Sequence, residues 1–88
     1  MEERTLLFIS DPGHAWLQVT LKDIVTLKVS DKISSCSYVK KNMAFLEEDC
    51  DAVVFLNAAK AAGWLITIRE TYQDPTQIRN YRSYKKVW

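Results

Sequence analysis

The stretch EEDCDAVVFLNAAKAAGW, Glu47 to Trp64, constrains the fold of this chain more than any other segment. Acids crowd its start, and Val54, Phe55, Ala58, Ala61 and Ala62 make an apolar stripe at helical spacing. Gly63 stands where a C-cap glycine belongs. Asp49 or Asp51 can cap the first turn, where the helix dipole favours negative charge. An amphipathic helix needs an apolar surface to lie on, and the flanking segments offer it as strands. WLITIRETY follows the helix with strand-like alternation, and TLLFIS, Thr5 to Ser10, is a continuous apolar run halted by Asp-Pro-Gly. Asp11 before Pro12 is pushed out of the helical region, and Gly13 is free to take a positive φ.

Between these segments lie a shorter helix and a hairpin. Leu17, Leu21, Ile24, Val25 and Leu27 fit helical spacing, whereas Trp16, Gln18 and Val19 read as a short extended piece. Thr20 with Asp23 three residues on resembles a capping arrangement, which predicts a helix from about Leu21 to Lys28. In SDKISSCSYVKKN, residues Ile33, Ser35, Ser37 and Val39 alternate with Ser34, Cys36 and Tyr38. With a turn at Lys41-Asn42 and a second strand in MAFLEE, this predicts a β-hairpin.

The predicted order is β-α-β-β-α-β in a single small α+β domain. It fits a ferredoxin-like split βαβ plan or a related two-layer sandwich, with an antiparallel or mixed sheet and two helices on one face. The strand order stays open. At 88 residues there is room for one domain with a thin core. The expected division is a body over residues 1–77 and a tail over 78–88 that docks on it. A hydrophobic content of 48% with only two glycines and two prolines argues against disorder away from the ends. No apolar run reaches the length of a membrane helix, and the acidic start lacks the basic region of a secretory signal, so a cytoplasmic protein with no membrane partner is expected. Cys36 and Cys50 are expected as small buried or half-buried free residues.

Candidate chemistry is sparse. Asp11 and His14 in the first loop could form a general base oriented by a carboxylate. The competing reading makes Asp11 an Asx-turn residue, with His14 packed beside it. Ser34, Ser35 or Ser37 could offer a nucleophile, but no Gly-x-Ser-x-Gly elbow is present. One histidine and two isolated cysteines match no zinc spacing, EEDCD lacks the pattern of a calcium loop, and two glycines make no phosphate-binding loop. No metal or cofactor is therefore expected.

The charge is unevenly placed. Residues 78–88 hold Arg79, Arg82, Lys85 and Lys86 and no acid, while residues 1–77 carry eight basic residues against all eleven acids, a local charge of −3. Tyr81 and Tyr84 interleave with the arginines. Arginine can grip phosphate with two hydrogen bonds and tyrosine can stack on a base, although the aromatics could equally pack back on the sheet. The near-neutral total of +1 argues against broad coating of DNA and leaves a small anionic ligand open.

The words SDPGHAWL, KISSCSY, LEEDCDA and RNYRSY together resemble a family of small proteins encoded by phages, prophages and plasmids. The resemblance covers nearly the whole chain. It implies an accessory factor acting by binding in the bacterial host cytosol, plausibly an antagonist of host defence. Its partner would be a host protein complex or a nucleotide signal, with self-association left open. The words also mark a recognition surface: Asp11, His14 and Trp16 from the first loop, Ser35 and Tyr38 from the hairpin, and Arg79, Tyr81, Arg82 and Tyr84 from the tail. A hydrolase or nuclease-like enzyme using Asp11 and His14, and nucleotide or nucleic-acid binding through the tail, are the alternatives.

Overall fold

The computed structural model describes residues 2–85, so the expectations for Lys86, Val87 and Trp88 lie outside the described residues. The strands are β1 (Glu3–Ser10), β2 (Ala15–Thr20), β3 (Tyr38–Lys40), β4 (Met43–Glu47), β5 (Leu65–Tyr72) and β6 (Arg82–Ser83). The helices are α1 (Leu21–Thr26) and α2 (Asp51–Ala61), with single 3-10 turns at Ser30–Lys32 and Ile78–Asn80. All six strands join one mixed sheet in the order β5-β1-β2-β4-β3-β6, in which only β1 and β5 run parallel.

This corrects the expected β-α-β-β-α-β order. Ala15–Thr20, read from sequence as a short extended lead-in to a helix, is a full strand between β1 and β4, and β6 is added at the far edge. The first loop therefore closes a β1–β2 hairpin. Because β1 passes directly into its neighbour, the chain does not build a ferredoxin-like plan.

Strand alternation divides the core. Leu6, Leu17, Val19, Ala44 and Leu46 face both helices and meet Ile24, Ala52, Phe55 and Ala59. Ile9, Trp16 and Phe45 point to the other face, where Ile78 of the C-terminal segment covers them. The sheet is thus buried by helices on one side and strapped on the other, as a short chain must do to shield both faces of its central strands. Tyr84 crosses back to the helix side, where its hydroxyl donates to the Ser30 carbonyl at 2.6 Å.

Local chemistry sets most boundaries. Thr20 Oγ1 accepts from the Asp23 N–H at 3.0 Å, and α1 ends early, at Thr26, as Lys28 turns to φ 61°. Gly63 at φ 79° closes α2 with a Schellman pair, its own N–H donating to Lys60 and that of Trp64 to Ala59. Lys41 takes φ 57° in the two-residue β3–β4 turn, the sense such hairpins need.

The predicted first hairpin strand is shorter than its alternation suggests. Ser34 to Ser37 leave the ladder because their hydroxyls have a better acceptor. The buried Asp51 carboxylate takes the Ser34 N–H (3.0 Å) and hydroxyl (2.8 Å), and the Ser37 hydroxyl at 2.5 Å. Asp51 therefore faces the loop rather than capping α2; Cys50 holds the N-cap position and makes no side-chain cap bond. Both cysteines are exposed and free, contrary to the expectation that they are buried or half-buried. The loop that leaves the sheet carries Cys36 outward. Partial desolvation of the sulfur first, and then the neighbouring Asp51 charge, push the Cys50 thiol above its ordinary value.

Ser37 also accepts the Glu47 N–H at 2.9 Å, so its hydroxyl bridges β4 and α2. Replacing Ser37 with Ala leaves the part-buried Glu47 N–H without this acceptor and removes one of the two hydroxyl donors on Asp51 Oδ2, which keeps that of Ser34. A loss of about 1–3 kcal/mol is expected. It is read as a lower urea midpoint at unchanged m value; an unchanged midpoint would contradict the bridging role.

Candidate functional site

Two features draw together the residues singled out from the sequence: a carboxylate hub in the first loop and a basic groove beside β3. In the hub, Asp11 Oδ1 accepts the backbone N–H of Gly13 (2.9 Å) and of His14 (2.8 Å), the Asx-turn arrangement, and also Arg79 Nη2 at 2.9 Å. Oδ2 accepts the Thr76 hydroxyl at 3.2 Å. The Arg79 guanidinium lies 5.6 Å from the centre of the Trp16 ring, and Trp16 meets His14 at 5.9 Å and Tyr38 edge-on at 6.5 Å. Asp11, His14, Trp16, Tyr38 and Arg79 are therefore one cluster.

Gly13 has a different reason from the positive φ that the sequence allows. Gly63 is the only glycine in that region, while a Cβ at Gly13 would come within 3.2 Å of Arg79 Nη2. The glycine leaves room for the guanidinium to reach Asp11.

This geometry weighs on the catalytic reading. The Asp11 side chain is 6% exposed, and its donors are two backbone N–H groups, a hydroxyl and a guanidinium. The bond to His14 is to its main chain, not its imidazole. An Asp–His dyad, which needs the carboxylate on the ring N–H, is not assembled. His14 is exposed, and His14→Ala is expected to change stability by less than about 0.5 kcal/mol, measured by thermal melting.

Burial raises the Asp11 carboxyl pKa, but the N–H groups of Gly13 and His14, the Thr76 hydroxyl and the Arg79 charge together outweigh it and hold the group below the ordinary 3.8. A depressed folded-state value stabilises the protein above the unfolded value, and this contribution is lost as pH falls through the folded one. The melting temperature should accordingly drop more steeply below the ordinary carboxyl range in wild type than in Asp11→Asn. Parallel acid limbs would show that the hub does not stabilise the fold.

The remaining site residues separate. Tyr84 is buried under the helices, and Ser35 is exposed on the loop before β3. Tyr81 packs on Phe45 at 5.1 Å and carries Lys40 Nζ 4.7 Å above its ring. Arg82 sits on β6, paired with Val39. Here the surface opens into a groove of about 1140 Å³ whose charged lining, among the described residues, is Lys40, Lys41, Arg82 and Lys85, with no carboxylate. Gln77 and Asn80 add amides, and Leu21 and Val39 add apolar floor.

The lysine pair of the hairpin turn was not among the residues that sequence reasoning selected. A Lys-Lys doublet at a turn is an ordinary solvated feature until something basic is laid beside it. The β3–β6 register, Val39 opposite Arg82, does that.

No group of three or more His, Cys, Asp or Glu suited to a metal ion occurs among the described residues, and none of their helices is long and apolar enough to cross a membrane. No known protein family, curated protein or solved structure matches this chain.

Proposed function

We propose that the protein is a small accessory factor of a mobile genetic element that works by binding an anionic partner in the host cytosol, as an antagonist of bacterial defence. The observation that carries the binding part is the groove: four cations, an aromatic ring and two amides with no carboxylate among its described lining. In a chain with eleven acids, a concave surface that excludes all of them is suited to a negatively charged partner. The defence context rests on the resemblance of SDPGHAWL, KISSCSY, LEEDCDA and RNYRSY to proteins of phages, prophages and plasmids. The hydrolase alternative has no comparable support, since Asp11 spends its carboxylate on the loop and on Arg79.

Charge reversal tests the reading. Wild type and Lys41→Glu/Arg82→Glu are expressed in bacterial strains that carry different defence systems, and phage plating is compared. Wild type is expected to restore plating on at least one strain, and the folded variant to fail there. No rescue by wild type across the panel, or equal rescue by the variant, would overturn the proposal.

A further inference from the structure

We infer that the basic groove is a site for single-stranded nucleic acid, held by its phosphates along the β3–β6 edge. This rests on the proposed reading of the groove as an anion site and names the ligand. The first argument is the layout of the cations. Tyr38 pairs with Ser83 and Val39 with Arg82 in antiparallel register, so Lys40 and Lys41 continue past one end of this ladder, Lys85 continues past the other, and Arg82 stands within it. Lys40 Nζ reaches over the Tyr81 ring at 4.7 Å. Charges strung along a line fit successive phosphates of a chain. A single nucleotide polyphosphate is held by donors converging on one point, commonly a glycine-rich loop or a helix N-terminus; the groove lining has no glycine, and the helix start it touches, Leu21 of the six-residue α1, has its Leu21 N–H on the Asn42 carbonyl and its Asp23 N–H on Thr20.

Size and lining point the same way. An open groove of about 1140 Å³ is larger than the roughly 300–1,000 Å³ that closes around one small ligand. Tyr81 adds an aromatic ring to the lining beneath Lys40, and the amides of Asn80 and Gln77 can hydrogen-bond base edges, part of the mixture that single-strand sites use. Duplex DNA is the poorer fit. The whole chain carries only +1, and the groove is lined by strand and 3-10 segments together with Leu21 of α1, with no helix standing clear to enter a major groove.

The test is fluorescence anisotropy of the full chain with labelled oligo-dT and oligo-rU of about eight nucleotides. Controls are a duplex of equal length, and ATP and inorganic phosphate as competitors. Both single strands, or one of them, should bind more tightly than the duplex, and the tighter arm identifies DNA or RNA as the source. Engaging three to four phosphates predicts a salt slope of about −2 to −3, or about a 15- to 60-fold loss of affinity between 50 and 200 mM salt. Arg82→Gln/Lys85→Gln should flatten that slope and weaken binding by about tenfold or more at unchanged melting temperature. If this pair loses the fold, Lys41→Gln/Lys85→Gln takes its place.

Displacement by equimolar ATP or phosphate, binding of duplex as tight as of single strands, or undiminished binding by the variants would overturn the inference. So would failure of both oligonucleotides to bind at low salt. If that failure accompanies plating rescue that depends on Lys41 and Arg82, the inference falls while the broader anion-binding function stands.

Discussion

The buried carboxylate of Asp51 is the interaction on which the rest of the architecture depends. It is 2% exposed and accepts hydrogen bonds from the Ser34 N–H, the Ser34 hydroxyl and the Ser37 hydroxyl. A carboxylate in such a place is tolerable only when its oxygens are satisfied, so the loop 34–37 must come to it. Ser37 passes the constraint on. Its hydroxyl accepts the Glu47 N–H, and its carbonyl accepts the Tyr84 N–H at 2.7 Å. Through this one serine the start of α2, strand β4 and the C-terminal segment are joined. The short β6 strand follows from that junction, and the position of Arg82 beside the lysine doublet follows from β6.

Asp11 does on the opposite face what Asp51 does under the helices. It closes its own turn through backbone N–H groups and then reaches across the chain to Thr76 and Arg79. Arg79 in turn lies over Trp16, and Ile78 seals the face beside it. A second ion pair, Arg4 to Asp23 with both guanidinium and carboxylate in a forked pair, ties β1 to α1 beside the Trp64 ring. In each case a carboxylate joins distant segments, and Asp11 is the one for which the sequence also invites a catalytic reading.

That expenditure shapes the surface. Asp11, Asp23 and Asp51 are engaged inside or at the rim of the fold, and none lines the basic groove. Four cations are left together on one edge of a molecule whose total charge is near zero. The separation of charge, rather than its sum, is what sets this face apart from the rest of the surface.

Local features were legible in the sequence because their causes lie within a few residues. The helix of α2 and its glycine stop, the Thr20 cap, the Asp-Pro-Gly break after β1 and the Lys41-Asn42 turn all depend on neighbours in the chain; the buried face of α2 does not follow the expected stripe, since Ala52, Phe55 and Ala59 are buried while Ala61 and Ala62 are exposed. So does the α+β class, since the amphipathic helices and alternating strands each demand a partner layer. Ala15–Thr20 could not be recognised as a central strand because its run of mixed apolar residues suits either period until β1 and β4 flank it. The alternation of Ile33 to Val39 overstated β3, because Asp51, far along the chain, competes for the serine hydroxyls. The exposure of Cys36 and the meeting of Lys40 and Lys41 with Arg82 likewise belong to segments remote in sequence. Hydrogen-bond propensities and periodicities are written residue by residue and set the elements; which buried carboxylate collects which distant donor is settled only when the layers close, and that choice placed the groove.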